Sequence, residues 1–173
     1  MKYTILIIAL LSVFFHFVSC EQKSTSEAEN LTYSMENFEQ EKSAILAILN
    51  EETAAAFNRD YEAWKSKWIH QSYVTKTYMD FTNNSITETL GWEEINAFVK
   101  TYIEEHPEPS PLPSMVDDID VRLYGSGAWV SYEQMDAERG LKRETRLMEK
   151  ENGQWKIAGM HTTIYGFEEK KEE

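Results

Sequence analysis

Three side chains near the C-terminal end of the chain could together bind or activate a small molecule. They are the carboxylate Glu144, the guanidinium Arg146 and the imidazole His161. An Asn152-Gly153 pair separates the two segments that contain them, and Asn-Gly between strand-forming residues is typical of a two-residue β-hairpin. Because such a turn would place Glu144 opposite His161, the sequence predicts a polar cluster on two neighbouring strands.

The same register predicts which side chains share a face of the sheet, because side chains alternate along a strand. One face would contain Glu144, Arg146, Met148, Trp155, Ile157 and His161. The other would contain Thr145, Leu147, Ala158, Met160 and Thr162, so both faces are partly apolar. Gly159 would lie opposite Arg146 and leave space beside it. A shift of one residue would move His161 to the other face.

A preceding strand, predicted over residues 128–137, extends the cluster. If Ala137 faces Leu141, Gln134 lies opposite Glu144 and Tyr132 lies opposite Arg146. The predicted ligand-binding residues are therefore Arg146, His161, Glu144, Tyr132, Gln134 and, from an earlier helix, Trp64.

Three interpretations of the cluster are open, because buried charges persist only when they are paired or serve a ligand. The cluster is a structural network in which Arg146 binds Glu144 and a tyrosine, and His161 binds Glu144. Alternatively, Arg146 anchors an anion and His161 donates a hydrogen bond to it. In the third interpretation His161 and Glu144 are catalytic, acting as an oriented general base.

The earlier elements are predicted from periodicity. Helices are expected over residues 35–58, from Asp60, and from Gly91, with a strand at 72–81 between the last two. Trp64 and Trp68 form either part of the core or the aromatic wall of a cavity. The sequence does not decide which face of strand 72–81 points inward. Prolines from 107 to 113 form a connector, and strands follow at 117–124, 128–137, 141–151 and 155–165.

Composition limits the class of protein. The 173 residues are 42% hydrophobic and 13% aromatic, which excludes a disordered chain. A formal charge of −13 argues against binding nucleic acid. No spacing of His, Asp or Glu indicates a metal site, and no glycine-rich phosphate loop is present, so no cofactor is predicted.

Residues 1–20 read as an export signal, with Lys2 before an apolar run that closes at Cys20. The position of this cysteine resembles the lipobox of bacterial lipoproteins, which implies lipidation at Cys20 and a membrane-anchored protein of the bacterial cell envelope, facing the periplasm or the exterior. Residues 21–35 are predicted to be a flexible tether, 36–168 the domain and 169–173 a charged tail.

The order of elements resembles the nuclear transport factor 2-like superfamily, which includes ketosteroid isomerase and the SnoaL-type polyketide cyclases. Residues 58–64 (NRDYEAW), Glu144-Thr145-Arg146 and 153–161 (GQWKIAGMH) are similar to the association domain of calcium/calmodulin-dependent protein kinase II. The resemblance implies an α+β, cone-shaped fold with three N-terminal helices on a strongly bent antiparallel sheet. It also implies a homodimer, and a pocket in which Arg146 attracts small carboxylates and His161 matches the histidine of the final strand.

Three functions remain open at this point, because function depends on the site rather than on the fold. The first is a lipid-anchored domain that binds an unknown small molecule without catalysis. The second is an isomerase-like or cyclase-like enzyme acting on a small hydrophobic or polyketide-like substrate through His161 and Glu144. The third is an oligomerisation module.

Overall fold

A computed structural model describes residues 22–136 and 139–166. The chain divides into two compact units, Met1–Glu39 and Gln40–Glu173. The sheet and all candidate site residues except Cys20 belong to the second unit. Cys20 and the predicted signal and tail lie outside the described residues.

Three helices precede most of the sheet: α1 (Gln22–Phe57), α2 (Tyr61–Ser66) and α3 (Trp92–Glu105). The second and third begin where the sequence predicts. The first begins at Gln22 rather than near Met35, so it includes residues for which the sequence predicts a tether. The tether role of that segment stays a prediction.

Local signals explain the helix ends. Helix α1 ends at Phe57. Arg59, two residues later, has a left-handed backbone with φ of 63°, so the chain does not continue along the helix axis. Asp60 then caps α2, because its side chain accepts a hydrogen bond from the Ala63 amide at 3.0 Å. Gly91, with φ of 81°, precedes α3 and allows a turn that a residue with a Cβ would adopt only with strain.

The six strands are β1 (Thr75–Asp80), β2 (Ser85–Leu90), β3 (Asp120–Tyr124), β4 (Gly127–Asp136), β5 (Gly140–Glu151) and β6 (Gln154–Ile164). They form one sheet in the order β2-β1-β6-β5-β4-β3. The sheet is mixed rather than wholly antiparallel as predicted, because β1 pairs with β6 in parallel. This pairing brings the first strand beside the last, and so places β1 next to the predicted cluster.

Strand β2, which pairs with β1 as an edge hairpin, was not predicted from the sequence. Only one of its six residues is even partly buried, so the segment 85–90 has no apolar face that would indicate a strand. A turn at residues 81–84 joins β1 to β2, with Asn84 in the left-handed region at φ of 48°.

One face of the sheet packs on the helices and is called the inner face. Its buried side chains include Val130, Met148, Trp155 and Ile157, which share a core with Ile45 and Leu49 of α1, Trp64 of α2 and Ile95 of α3. The opposite face, called the outer face, exposes large apolar side chains, among them Trp129 and Leu147. The hairpin residues Glu144, Arg146, Met148, Trp155 and Ile157 lie on the inner face, as the sequence predicts.

Candidate functional site

A β-bulge in the last hairpin decides which predicted residues meet. Near the turn the pairing is as predicted, with Met148 opposite Ile157. The register then shifts at Leu147/Met148, and Ala158 is the extra residue of β6. Beyond the bulge, Glu144 lies opposite Thr162 and Thr145 lies opposite His161.

The prediction that His161 joins the cluster is therefore wrong. His161 is exposed on the outer face, between Thr145 and Thr77 of the neighbouring strands. Thr162 takes its place on the inner face, where it is 1% exposed. Met160 and Thr162 were predicted on the outer face and lie on the inner one, because one extra residue reverses the alternation of side chains.

Gly159 also has a different neighbour from the one predicted. It pairs with Leu147 on the outer face, and a Cβ added there would lie 3.1 Å from Leu147 Cδ1. The space that the glycine leaves is therefore filled by Leu147 and does not lie beside Arg146.

The register between β4 and β5 differs from the prediction by two residues, which preserves the face. Tyr132 lies opposite Glu144, and Gln134 lies opposite Lys142. Tyr132 is buried within the cluster as predicted. Gln134 is farther away and donates a hydrogen bond to the Ser114 carbonyl at 2.6 Å. The structure therefore places Gln134 at the end of the site, bound to a loop.

Arg146 is the centre of the cluster and is only 3% exposed. Its Nη2 lies 3.3 Å from Glu144 Oε2, and its Nη1 lies 3.7 Å from Glu52 Oε2. Neither Nε nor Nη1 has a hydrogen-bond partner among the described residues. A buried hydrogen-bond donor without a partner reduces the stability of the fold. Nε and Nη1 are therefore the groups of the site to which a ligand oxygen could bind.

Glu144 is fully engaged by its neighbours. Its Oε2 accepts a hydrogen bond from Thr162 Oγ1 at 2.9 Å, and its Oε1 lies 3.2 Å from Lys142 Nζ. Together with the contact to Arg146, these partners fix both oxygens of a carboxylate that is 2% exposed. Such a group orients the guanidinium, and each of its oxygens already has a partner on the chain.

Glu52 of α1 is a member of the cluster that the sequence analysis did not identify. Its Oε1 accepts hydrogen bonds from the indole nitrogens of Trp64 at 2.8 Å and Trp68 at 3.2 Å. Glu52 lies three residues after Leu49 and seven after Ile45, so it interrupts the buried stripe of the helix. An acidic residue at such a position is the signal that could have identified it.

Trp64 is a core residue rather than the wall of an open cavity. It is 1% exposed and its ring lies 5.7 Å from that of Trp68 and 5.8 Å from that of Trp92. Its part in the site is to hold Glu52 through its indole nitrogen.

The environment of the cluster shifts the pKa of Arg146 and the pKa of Tyr132. Burial lowers the pKa of Arg146, but Tyr132, Glu144 and Glu52 outweigh it and the net shift is upward, so the guanidinium stays charged. Burial, with Glu144 and Glu52 in support, raises the pKa of Tyr132 to about 12 against the opposing effect of Arg146.

Strand β1 supplies the inner face with Lys76, Tyr78 and Asp80, which resolves the face that the sequence left open. Asp80 accepts hydrogen bonds from Thr82 and Asn83 in the turn after the strand, which lower its pKa against the effect of burial. Tyr73, before the strand, is exposed and donates a hydrogen bond to Glu149 at 2.6 Å.

Two surface depressions lie away from Arg146, at β3 and β4. One of about 440 Å³ is lined by Asp120, Val121, Arg122, Trp129 and Ser131. The other, of about 250 Å³, is lined by Asp118, Ile119, Asp120, Ser131, Tyr132, Glu133 and Arg143. The second contains three carboxylates and one guanidinium, a charge balance that does not favour an anion.

Within residues 22–136 and 139–166, no cluster of His, Cys, Asp and Glu has the geometry to hold a metal ion. No helix in this part of the chain combines the length and hydropathy that a membrane span requires.

The comparisons with known proteins agree with this fold. A model of the SnoaL-like domain matches residues 45–165. No protein with a curated description matches the chain.

Three solved structures are similar to it. A cystatin-like fold protein of Burkholderia xenovorans is 21% identical over 72% of this chain and 92% of its own, with a TM-score of 0.56. An NTF2-like protein of unknown function from Pseudomonas putida is 14% identical over 77% and 97%, with a TM-score of 0.58. A candidate dehydratase of the NTF2-like family from Streptomyces avermitilis is 12% identical over 73% and 97%, with a TM-score of 0.53.

Proposed function

We propose that this chain, which belongs to the SnoaL-like domain family, binds a small organic anion at Arg146 without transforming it. The observation that supports this most directly is that Nε and Nη1 of a guanidinium 3% exposed have no hydrogen-bond partner in the described part of the chain. A carboxylate is the group that best satisfies unpaired guanidinium donors.

The groups around Arg146 are held in place before any ligand arrives. Glu144 is fixed by Thr162 and Lys142, and Glu52 is fixed by two indole nitrogens. These carboxylates set the position of the guanidinium, so a ligand would meet donors that are already oriented. Such preorganisation reduces the entropic cost of binding.

Catalysis is the less favoured function. The similarity to the Streptomyces avermitilis protein raises a dehydratase-like or isomerase-like reaction as the alternative. The proposed dyad of Glu144 and His161 is split between the two faces, and both Glu144 oxygens have partners. A general base must reach the proton that it removes, and Glu144 reaches only its own neighbours.

The binding proposal is tested by calorimetric titration of the protein with butyrate and benzoate, each compared with its uncharged amide. The acids should bind and the amides should not, because only the acids offer an anionic acceptor. Arg146→Met should abolish binding, whereas Arg143→Met, which changes a half-exposed arginine of the same strand, should leave it unchanged.

Arg146→Lys keeps the charge but loses the planar set of donors, and provides the readout if Arg146→Met does not fold. Equal binding of acids and amides, or no binding of any acid, would contradict the proposal. Turnover of a candidate substrate that disappears in Glu144→Gln would favour the enzyme instead.

We also propose that the domain is exported and lipid-anchored in the bacterial cell envelope through Cys20. The support is the sequence of residues 1–20, in which the single cysteine closes an apolar run. Replacing Cys20 with serine should move the protein from the membrane fraction to the soluble fraction and block lipid labelling. Unchanged fractionation would contradict the anchor and leave the binding site unaffected.

A homodimer through the outer face is the third part of the proposal. Trp129 and Leu147 are paired across β4 and β5 and are 48% and 44% exposed. Adjacent exposed apolar side chains on a sheet face favour burial against a partner surface. The dimer would place His161 at or near the interface and away from the anion.

A further inference from the structure

Lys76 of β1 is a second buried cation on the inner face. It is 7% exposed, and its Nζ lies 4.3 Å from the centre of the Tyr78 ring and 5.0 Å from that of Phe98. Among the side chains that the structure describes, those of residues 34–135 and 139–166, no carboxylate forms an ion pair with it. Aromatic faces stabilise an ammonium only weakly, and Lys76 Nζ is not among the fully buried side-chain nitrogens without a partner, so it keeps some contact with solvent and is accessible to an anion.

The sheet places Lys76 in the same row as Arg146. Lys76 lies opposite Met160 of β6, and Met160 lies opposite Arg146 of β5. Because neighbouring strands are about 4.8 Å apart, the two backbone positions are roughly 10 Å apart, with one methionine between them. Both cations therefore belong to one stretch of the inner face.

Tyr78 links the two positions. It lies one row along from Lys76, in line with Thr162 and Glu144. Its ring supports the Lys76 ammonium, and it is also among the groups that raise the pKa of Arg146 against the effect of burial. A single tyrosine is thus close to both cations.

Phe98 marks the side from which a ligand could enter. It lies on α3 and is 44% exposed, although one side of its ring covers Lys76. A change in the rotamer of a side chain with this exposure is inexpensive and would uncover the ammonium. The surface next to Lys76 is therefore a better entry for an anion than the acidic depression beside Tyr132.

We propose that Lys76 is a second anion anchor and that the ligand is a dicarboxylate with roughly two to four methylene groups between its acid groups, as the row spacing allows. This inference rests on the proposed function, in which Arg146 binds the first acid group. With the two backbone positions roughly 10 Å apart, a molecule with two separated acid groups matches the two cations better than a single carboxylate does. The ammonium would exchange ring contacts for a charge-assisted hydrogen bond.

The test compares succinate and glutarate with their monomethyl esters by calorimetric titration. In the unaltered protein each dicarboxylate should bind about 10-fold more tightly than its ester, the effect expected of one added charge-assisted hydrogen bond. Lys76→Met should bring the dicarboxylate to the affinity of the ester and leave the ester unchanged. Lys100→Met, which changes an exposed lysine of α3, is the matched control and should preserve the preference.

Lys76→Gln gives the same readout if Lys76→Met does not fold. If the esters bind but the dicarboxylates bind no more tightly, or if the preference survives both Lys76 variants, the second anchor is wrong and the proposed function stands. If neither the acids nor the esters bind, the proposed function fails and this inference fails with it.

Discussion

The two faces of the sheet depart from the usual distribution of side chains in opposite ways, although the inner face also contains the apolar core. The inner face buries Glu144, Arg146 and Lys76, whereas the outer face exposes Trp129 and Leu147. Buried charges and exposed apolar clusters are the informative departures from ordinary packing. Our proposals give each face a different task, with a small anionic ligand bound on the inner face and a second copy of the chain on the outer face.

The largest expected effect comes from removing the central cation of the inner face. Arg146→Met leaves Glu144 and Glu52 buried without the guanidinium between them, and we expect a loss of about 3–5 kcal/mol in the free energy of unfolding. Urea unfolding monitored by circular dichroism measures it. Arg143→Met breaks only an exposed ion pair with Glu133 and should cost less than about 1 kcal/mol. Similar losses in the two variants would mean that Arg146 is not buried among carboxylates.

Glu52→Gln tests the part of the cluster that the helices supply. The amide keeps an acceptor for the indoles of Trp64 and Trp68 but loses the charge that faces Arg146, so we expect a loss of about 1–3 kcal/mol and a shift in tryptophan emission. Glu51→Gln alters an exposed ion pair with Lys67 on the same helix and should change neither quantity appreciably. An emission shift of the same size in Glu51→Gln would contradict the assignment.

A pair of adjacent threonines tests the bulge itself. Thr162→Val removes the hydrogen bond to buried Glu144 and should cost about 1–3 kcal/mol, whereas Thr163→Val changes an outer-face residue and should cost less than about 0.5 kcal/mol. Thermal and urea unfolding of both variants give the comparison. The register first predicted from the turn, without the bulge, requires the opposite order.

Tyr132 should report the inner face at high pH. Because burial raises its pKa to about 12 from 10.0, the folded state favours the neutral phenol. The resulting stability is fully present below pH 10.0 and is lost as the pH rises towards about 12. Tyr132→Phe should show a weaker alkaline loss of stability and lack the late tyrosine transition near 295 nm. If Tyr132→Phe and the unaltered protein show the same late transition in the absorbance titration, Tyr132 is exposed to solvent rather than buried.

The smallest effect on stability is expected on the outer face. Leu147→Lys should change the free energy of unfolding of the monomer by less than about 1 kcal/mol, because the side chain is already 44% exposed. The same substitution should halve the mass measured by light scattering, since a charge would be buried in the dimer. A mass of one subunit in the unaltered protein would remove the dimer from the account.

Local patterns were sufficient to predict most of the fold. The cap at Asp60, the Asn-Gly turn and the alternation along β5 and β6 predict elements close to those in the structure. The exposed edge strand β2 was missed because its residues have no apolar face. The parallel pairing of β1 with β6 depends on contacts between distant segments, which no local pattern encodes.

The site was predicted only in part, for a specific reason. Arg146, Glu144 and Tyr132 meet as expected, since a shift of two residues between β4 and β5 preserves the face. His161 does not join them, because the single extra residue at Ala158 reverses the alternation after it. Glu52 and Lys76 come from other elements and reach the cluster only through tertiary packing.

The most direct test of the account is nuclear magnetic resonance of the Arg146 Nε–H group during titration with succinate. Burial should slow exchange of this proton with water, so its signal should be visible at neutral pH and be assigned by its loss in Arg146→Lys. We predict a saturable shift of this signal at the concentration that also raises the melting temperature, with the backbone amide signal of Arg143 unchanged. A signal that does not move while succinate binds elsewhere would contradict the central claim that Arg146 is the anion anchor.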